Sequence, residues 1–331
     1  MSDWIEPAKT PRQTLLLADD ALFDAHVPPH HGGYHPERPE RLLAAREATD
    51  LAGRSAEEGG LGVIWKPVRV RPATEDELTR VHLAEYIEML GTMEGKSGYL
   101  DPDTYVNEKS VSAAKHAAGA LVEMVDAIMR GEEARGVALV RPPGHHARPG
   151  QAMGFCLVNN VAVAAAHARA RGLERVAIVD FDVHHGNGTQ EIFYRDPSVL
   201  YVSTHQYPFY PGTGAEDERG EGEGKGATVN VPLGAGSDDA DYRRAFERHV
   251  LPALAAFEPE LLLVSAGFDA AIADPLAEMR VSSEAFCWMT RELVKIADET
   301  ARGRLLLALE GGYDLTSLEE GLSASIAALL R

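Results

Sequence analysis

Short apolar runs punctuate the chain from its middle onward: Val137–Val140, Val176–Val179, Val199–Val202, Leu261–Val264 and Leu305–Leu309. Most are rich in Val or Leu and lack polar alternation, as do strands buried on both faces of a parallel sheet. Stretches of helical character lie between or after several of them. Asn159–Arg171 is Ala-rich, Asp239–Phe257 is amphipathic, Ser283–Thr300 is long, and Ser317–Leu330 closes the chain. This alternation predicts an α/β fold with a parallel sheet. Ser55–Gly62 and Glu216–Gly226 are rich in Gly and Glu and read as exposed loops. No internal repeat or long linker is visible. The 331 residues therefore suit one large α/β domain as well as two smaller ones.

Composition narrows the partners. The net charge of −19 argues against nonspecific binding to nucleic acid or to an anionic membrane, both of which need a basic face. It suits a cationic substrate. Cys156 and Cys287 are the only cysteines. Two are too few for a disulfide scaffold or a Cys-rich zinc module, and they fit a reducing compartment. No cationic-then-apolar leader and no bilayer-length apolar run is present, so a soluble cytoplasmic protein is expected. No heptad or apolar stripe commits the chain to an oligomeric state.

The residues after each run carry the chemistry. The runs lead into RPPGHH, DFDVHHGNG, STH, SAGFDA and EGGYD. Ligands of open α/β sheets bind beyond the carboxyl ends of the strands, so these segments would share one edge. If the strand continues, Asp180, Asp182 and His184 point to one side. Such a cluster calls for a divalent cation such as zinc, iron(II) or manganese. Asp182 and His184 supply two ligands, and Asp269 is the best third. His145 and His146, on a Pro-Gly turn, suit proton transfer. Asp180 and Asn187 are the acceptors available to orient them. Tyr313, after Gly311-Gly312, could donate to a developing oxyanion.

RPPGHH, GFCLVNN, VDFDVHHGNGTQ, PFYPGTG, SAGFDA with DPL, and LEGGYDL occur in an order that resembles the zinc-dependent histone deacetylase superfamily, which includes the acetylpolyamine amidohydrolases. HPERPERL at His35–Leu42 adds a further match, so the likeness runs from about Leu15 to the C-terminus. It implies a single arginase-like α/β domain, residues 1–331, around a mainly parallel eight-stranded sheet, with residues 1–14 a flexible or peripheral segment. It assigns Asp182, His184 and Asp269 to zinc, with iron(II) as the other metal such a site takes. It makes His145 and His146 the paired histidines and Tyr313 the phenol that polarises the carbonyl. Asp180 would orient His145, and Asn187 stands where class I members carry an aspartate, a class II-like wording.

The resemblance also implies a channel. Phe155 and Tyr210 would wall it, with Gly154 beside them, Leu276 at the mouth and Asp103 on the rim; Asp101, two residues away, competes with Asp103 for that last role. Tyr210 replaces the Phe of many relatives. Arg41 would lie on an acetate exit path. Asp180, Asp182, His184, Ser203 and Thr204 match a structural potassium site. The implied reaction is deacetylation of acetyl-lysine in a peptide or protein. The rivals are an acetylpolyamine amidohydrolase and a catalytically silent acyl-lysine binder. A non-haem iron oxygenase fits less well, since it carries two histidines and one carboxylate. A binuclear manganese ureohydrolase leaves the histidine pair and the GGY turn unexplained.

Overall fold

The computed structural model describes residues 11–28 and 35–330. Ten strands are present among them: β1 (Arg12–Ala18), β2 (Gly62–Pro67), β3 (Gly98–Tyr99), β4 (Tyr105–Val106), β5 (Arg135–Ala138), β6 (Val176–Asp180), β7 (Val199–Gln206), β8 (Thr228–Leu233), β9 (Leu261–Ala266) and β10 (Leu305–Leu309). The α-helices are α1 (Glu40–Glu58), α2 (Glu75–Leu78), α3 (Ala84–Thr92), α4 (Ser110–Met129), α5 (Asn160–Ala170), α6 (Asn187–Phe193), α7 (Asp239–Ala245), α8 (Leu251–Phe257), α9 (Ser283–Thr300) and α10 (Leu315–Leu329).

Eight strands form one sheet in the order β2-β1-β5-β10-β9-β6-β7-β8. Every neighbouring pair is parallel, so the sheet is wholly rather than mainly parallel. One helical layer is built from α1, α10 and α9, the other from α4 and α5. Sandwiched between them, β6, β7, β9 and β10 are buried at every residue. That explains their uninterrupted apolar sequences: neither face meets water. The small β3–β4 pair is antiparallel and stands apart from this sheet.

Three boundaries differ from expectation. Arg12–Thr14 already pair with Gly62–Ile64, so the inner end of the supposed peripheral segment belongs to the sheet; residues 1–10 lie outside the described residues. Ser55–Glu58 form the last turn of α1 rather than a loop, because Gly59 and Gly60 end the helix only afterwards. Asp239–Phe257 is helical throughout, but Phe246–Val250 widens into a π-turn before Pro252. Proline has no N–H to donate, which favours a local slip in the ladder. No described helix is long and apolar enough to cross a membrane.

Candidate active site

The carboxyl ends of β5, β6, β7, β9 and β10 deliver the chemistry to one edge. β6 ends at Asp180 and the backbone bends at once, so Asp180 does not join the metal-ligand cluster that an extended strand would place it in. Asp182, His184 and Asp269 do converge. Their ligand atoms all lie within 4.8 Å of one another, and all three residues are buried. His184 Nδ1 is 3.2 Å from Asp182 Oδ1 and 3.1 Å from Asp269 Oδ2. The remaining oxygens accept backbone N–H groups, Asp182 Oδ2 from Gly311 at 2.8 Å and Asp269 Oδ1 from Val183 at 2.9 Å. Gly311 must be glycine: a Cβ there would stand 2.2 Å from Asp269 Oδ2 and 2.6 Å from Asp182 Oδ2.

The electrostatics of this cluster fit a divalent cation. Burial and the neighbouring Asp182 carboxylate push Asp269 up to about 7. Burial opposes charge on His184, but hydrogen bonds to Asp182 and Asp269 raise it to about 10. Two oxygens and one nitrogen in this arrangement suit zinc or iron(II), with room for further ligands.

The paired histidines differ sharply. His145 Nδ1 is 3.0 Å from Asp180 Oδ2, which also accepts the Tyr201 hydroxyl at 3.1 Å. His146 Nδ1 is 2.8 Å from Asn187 Oδ1. The two rings lie 4.0 Å apart. Burial disfavours charge on both. For His145 it is outweighed by the carboxylates of Asp182 and Asp180, which hold its pKa well above the usual imidazole range. For His146 burial is reinforced by His145 and His184, which press it well below that range. The surroundings thus favour charge on His145 and disfavour it on His146. With Nδ1–H donating to Asn187, the free lone pair of His146 is on Nε2.

Tyr313 is buried, and burial keeps its phenol protonated far above neutrality. Its turn is fixed from two sides. Asp274 Oδ2 accepts the Tyr313 N–H at 2.6 Å. Arg41, itself fully buried, donates from Nε to Gly312 O at 2.7 Å and from a terminal nitrogen to Glu310 O, and its guanidinium lies 5.0 Å from the Tyr313 ring centre. Arg41 also meets Glu37 at 3.3 Å, and Glu37 pairs with Arg141.

A cavity of about 230 Å³ opens above these groups, lined by Asp103, His146, Gly154, Phe155, His184, Phe209, Tyr210, Leu276 and Tyr313. Phe155 stands edge-on to Tyr313, with ring centres 5.9 Å apart. Gly154 has a positive φ of 57° and lies so close to His146 that a Cβ would come within 2.4 Å of its ring. Asp103, between β3 and β4, reaches the cavity, whereas Asp101 is occupied in accepting the N–H groups of Asp103 and Thr104. Burial and Asp101 push Asp103 up to about 6. Ser203 stands opposite Asp180 across β6–β7, and the Thr204 hydroxyl is buried without a hydrogen-bond partner.

With this geometry in hand, comparison with known proteins is decisive. The sequence profile of the histone deacetylase domain matches residues 35–329. The chain belongs to the histone deacetylase family. Among curated relatives, histone deacetylase 15 of Arabidopsis thaliana is 46% identical over 301 residues, covering 89% of this chain and 53% of that protein. Human polyamine deacetylase HDAC10 is 44% identical over 310 residues, covering 89% of this chain and 44% of its own length. This deacetylase-family chain thus spans about half the length of those two relatives. The crystal structure of the HDA15 HD domain superposes with a TM-score of 0.89 at 43% identity, covering 96% of this chain and 88% of that one.

Several site residues of this histone deacetylase family member were not singled out from sequence. Phe209 stacks on His184 at 5.6 Å and lines the cavity next to Tyr210; PFYP was its only signal. Asp274 sits in the DPL motif that had drawn attention to Leu276. Glu310 opens LEGGYD, where the glycines and the tyrosine took precedence. Glu37 lies within HPERPERL and is fully buried.

Proposed function

We propose that this chain is a zinc-dependent amidohydrolase that removes the acetyl group from acetyl-lysine in a peptide or protein. The observation that carries the reading is the meeting of Asp182, His184 and Asp269 with a neutral His146 and a protonated Tyr313 at the foot of one narrow aromatic cavity. Zinc held by those three residues would polarise the amide carbonyl and acidify the attacking water. Nε2 of His146 takes the proton released on attack and later delivers it to the departing amine. Asn187 holds His146 in the tautomer that leaves Nε2 bare. His145, oriented by Asp180 and favoured as a cation by Asp182 and Asp180, stabilises negative charge developing beside it. The Tyr313 hydroxyl donates to the oxyanion, and Arg41 and Asp274 hold its turn in place. Phe155 and Tyr210 flank the apolar stem of the substrate, Leu276 stands at the mouth, and Asp103 accepts from the substrate backbone.

An acetylated polyamine is the second reading, supported by the 44% identity to a polyamine deacetylase. Against it, Asp103 is the only carboxylate of the described cavity lining and Leu276 is apolar, so little there matches a distant ammonium. The family resemblance, whichever the substrate, puts a structural potassium ion among Asp180, Asp182, His184, Ser203 and Thr204, with the unpartnered Thr204 hydroxyl as its support. It leaves Arg41 beside the route by which acetate would depart.

The test is acetate release by metal-stripped protein reloaded with zinc or, in parallel, iron(II), on an acetyl-lysine peptide and on N-acetylputrescine. Peptide turnover restored by zinc is the expected result. Preference for N-acetylputrescine would move the assignment to polyamines. Turnover of neither, with metal bound, would refute the deacetylase reading.

A further inference from the structure

Glu310 is a fully buried carboxylate that the chemistry above leaves without a task. It directly follows β10 and faces the turn that carries the paired histidines. Its Oε2 accepts the N–H of Gly144 at 2.6 Å and that of His145 at 3.2 Å. Its Oε1 accepts the Ser265 hydroxyl at 3.1 Å. Pro142 and Pro143 have no N–H, so Gly144 and His145 offer the first backbone donors after Arg141. Both residues are buried, and losing their acceptor would strand two donors away from water.

The opposite side of the turn is held independently. The His145 carbonyl accepts the Thr189 N–H at 3.1 Å and the Asn159 amide at 3.4 Å. The His145 peptide is thus gripped on its carbonyl by α6 and the N-cap of α5, and on its N–H by Glu310. The backbone carbonyl of Glu310 meanwhile accepts from Arg41, which holds the Tyr313 turn. One residue is therefore bonded to both halves of the proposed machinery.

We propose that Glu310 is a positioning residue that fixes the His145-His146 turn through the Gly144 and His145 N–H groups. It acts by reach and hydrogen-bond acceptance, not by its charge. The proposal rests on the amidohydrolase reading for its effect on turnover. The bonding itself can be tested without turnover.

The experiment compares Glu310→Ala, Glu310→Gln and Glu310→Asp in the zinc-loaded full chain, with kcat and KM on an acetyl-lysine peptide, zinc content, and amide hydrogen exchange at Gly144 and His145 by NMR. Alanine should lower kcat about 100-fold with KM little changed, since small misplacements of a reacting group have effects of that size. Glutamine, whose amide oxygen can accept the same two bonds, should stay within about threefold of wild type and keep both amides protected. Aspartate keeps the charge but falls one methylene short, and should lose about tenfold with faster exchange. Should alanine fail to fold, the Gln–Asp contrast carries the test.

Unchanged exchange at Gly144 and His145 in the alanine or aspartate variant would overturn the proposal. So would aspartate outperforming glutamine. A wild type with protected amides but no turnover of any acetylated amine would sink the deacetylase reading alone.

Discussion

Asn187→Asp puts the division of labour between the histidines to a direct test. Asn187 Oδ1 lies 2.8 Å from His146 Nδ1, and aspartate is nearly isosteric with asparagine, so the geometry should survive. The charge changes. An imidazolium and a carboxylate roughly 4 Å apart between charge centres attract by about 4 kcal/mol at an effective dielectric of about 20. At about 1.36 kcal/mol per pKa unit, that is an upper bound of roughly three units on the rise at His146. His146 now lies well below the ordinary imidazole range because burial and two neighbouring imidazoles disfavour its cation. A base acts only when deprotonated, so raising its pKa moves the acid limb of the rate profile to higher pH. The assay is kcat/KM against pH for wild type and variant, each with full zinc. The acid limb should move up by at least about one unit. A limb that stays put, with both proteins fully metallated, would show that His146 is not the titrating base.

Further consequences follow from the same geometry. Tyr313→Phe should lower kcat by about 10²–10³ with zinc content unchanged, as for loss of one oxyanion donor; full activity in the zinc-loaded variant would remove that role. Gly311→Ala would drive a methyl group into the oxygens of Asp182 and Asp269, so zinc content measured after gel filtration should fall far below one per chain while wild type stays loaded. Because His184 is raised to about 10 in the metal-free centre, zinc uptake near pH 7.5 should release about one proton as the imidazole becomes a ligand. Calorimetry in buffers of different ionisation enthalpy measures this directly, and zero net release would contradict the charge state derived for His184.

What could be read along the chain was whatever local pattern encodes. The buried strands β6, β7, β9 and β10 were legible from their apolar runs, since a strand covered on both faces is largely apolar; the buried polar residues at the carboxyl ends of β6, β7 and β9 lie where the chemistry gathers. β1 and β8 were not singled out, and β2, at the sheet edge, is only partly buried and carries a mixed sequence. The meeting of Asp182, His184 and Asp269 was expected from Asp-x-His at one strand end and Asp at another, since carboxylates beyond apolar runs need a counter-charge. Asp180 was expected beside His145 from the resemblance, and it lies there, but that it turns away from Asp182 and His184 was not legible, because nothing local announces that the strand stops there and the chain bends.

The sequence by itself determined the element types, the chemistry available at each strand end and the family resemblance. Tertiary structure alone decided which of these groups meet and in what charge state. Asp180 and Asn187 are two acceptors of similar size. One orients a His145 whose cation is favoured and the other a His146 whose cation is disfavoured, because the parallel sheet sets the first beside Asp182 and buries the second among other imidazoles. Glu310, Asp274, Arg41 and Glu37 acquire their distant partners only when the ends of β5, β9 and β10 and the start of α1 are brought together. Hydrogen bonds between residues far apart in the chain leave no periodic trace in it, since their geometry depends on the packing of whole elements and not on spacing along one.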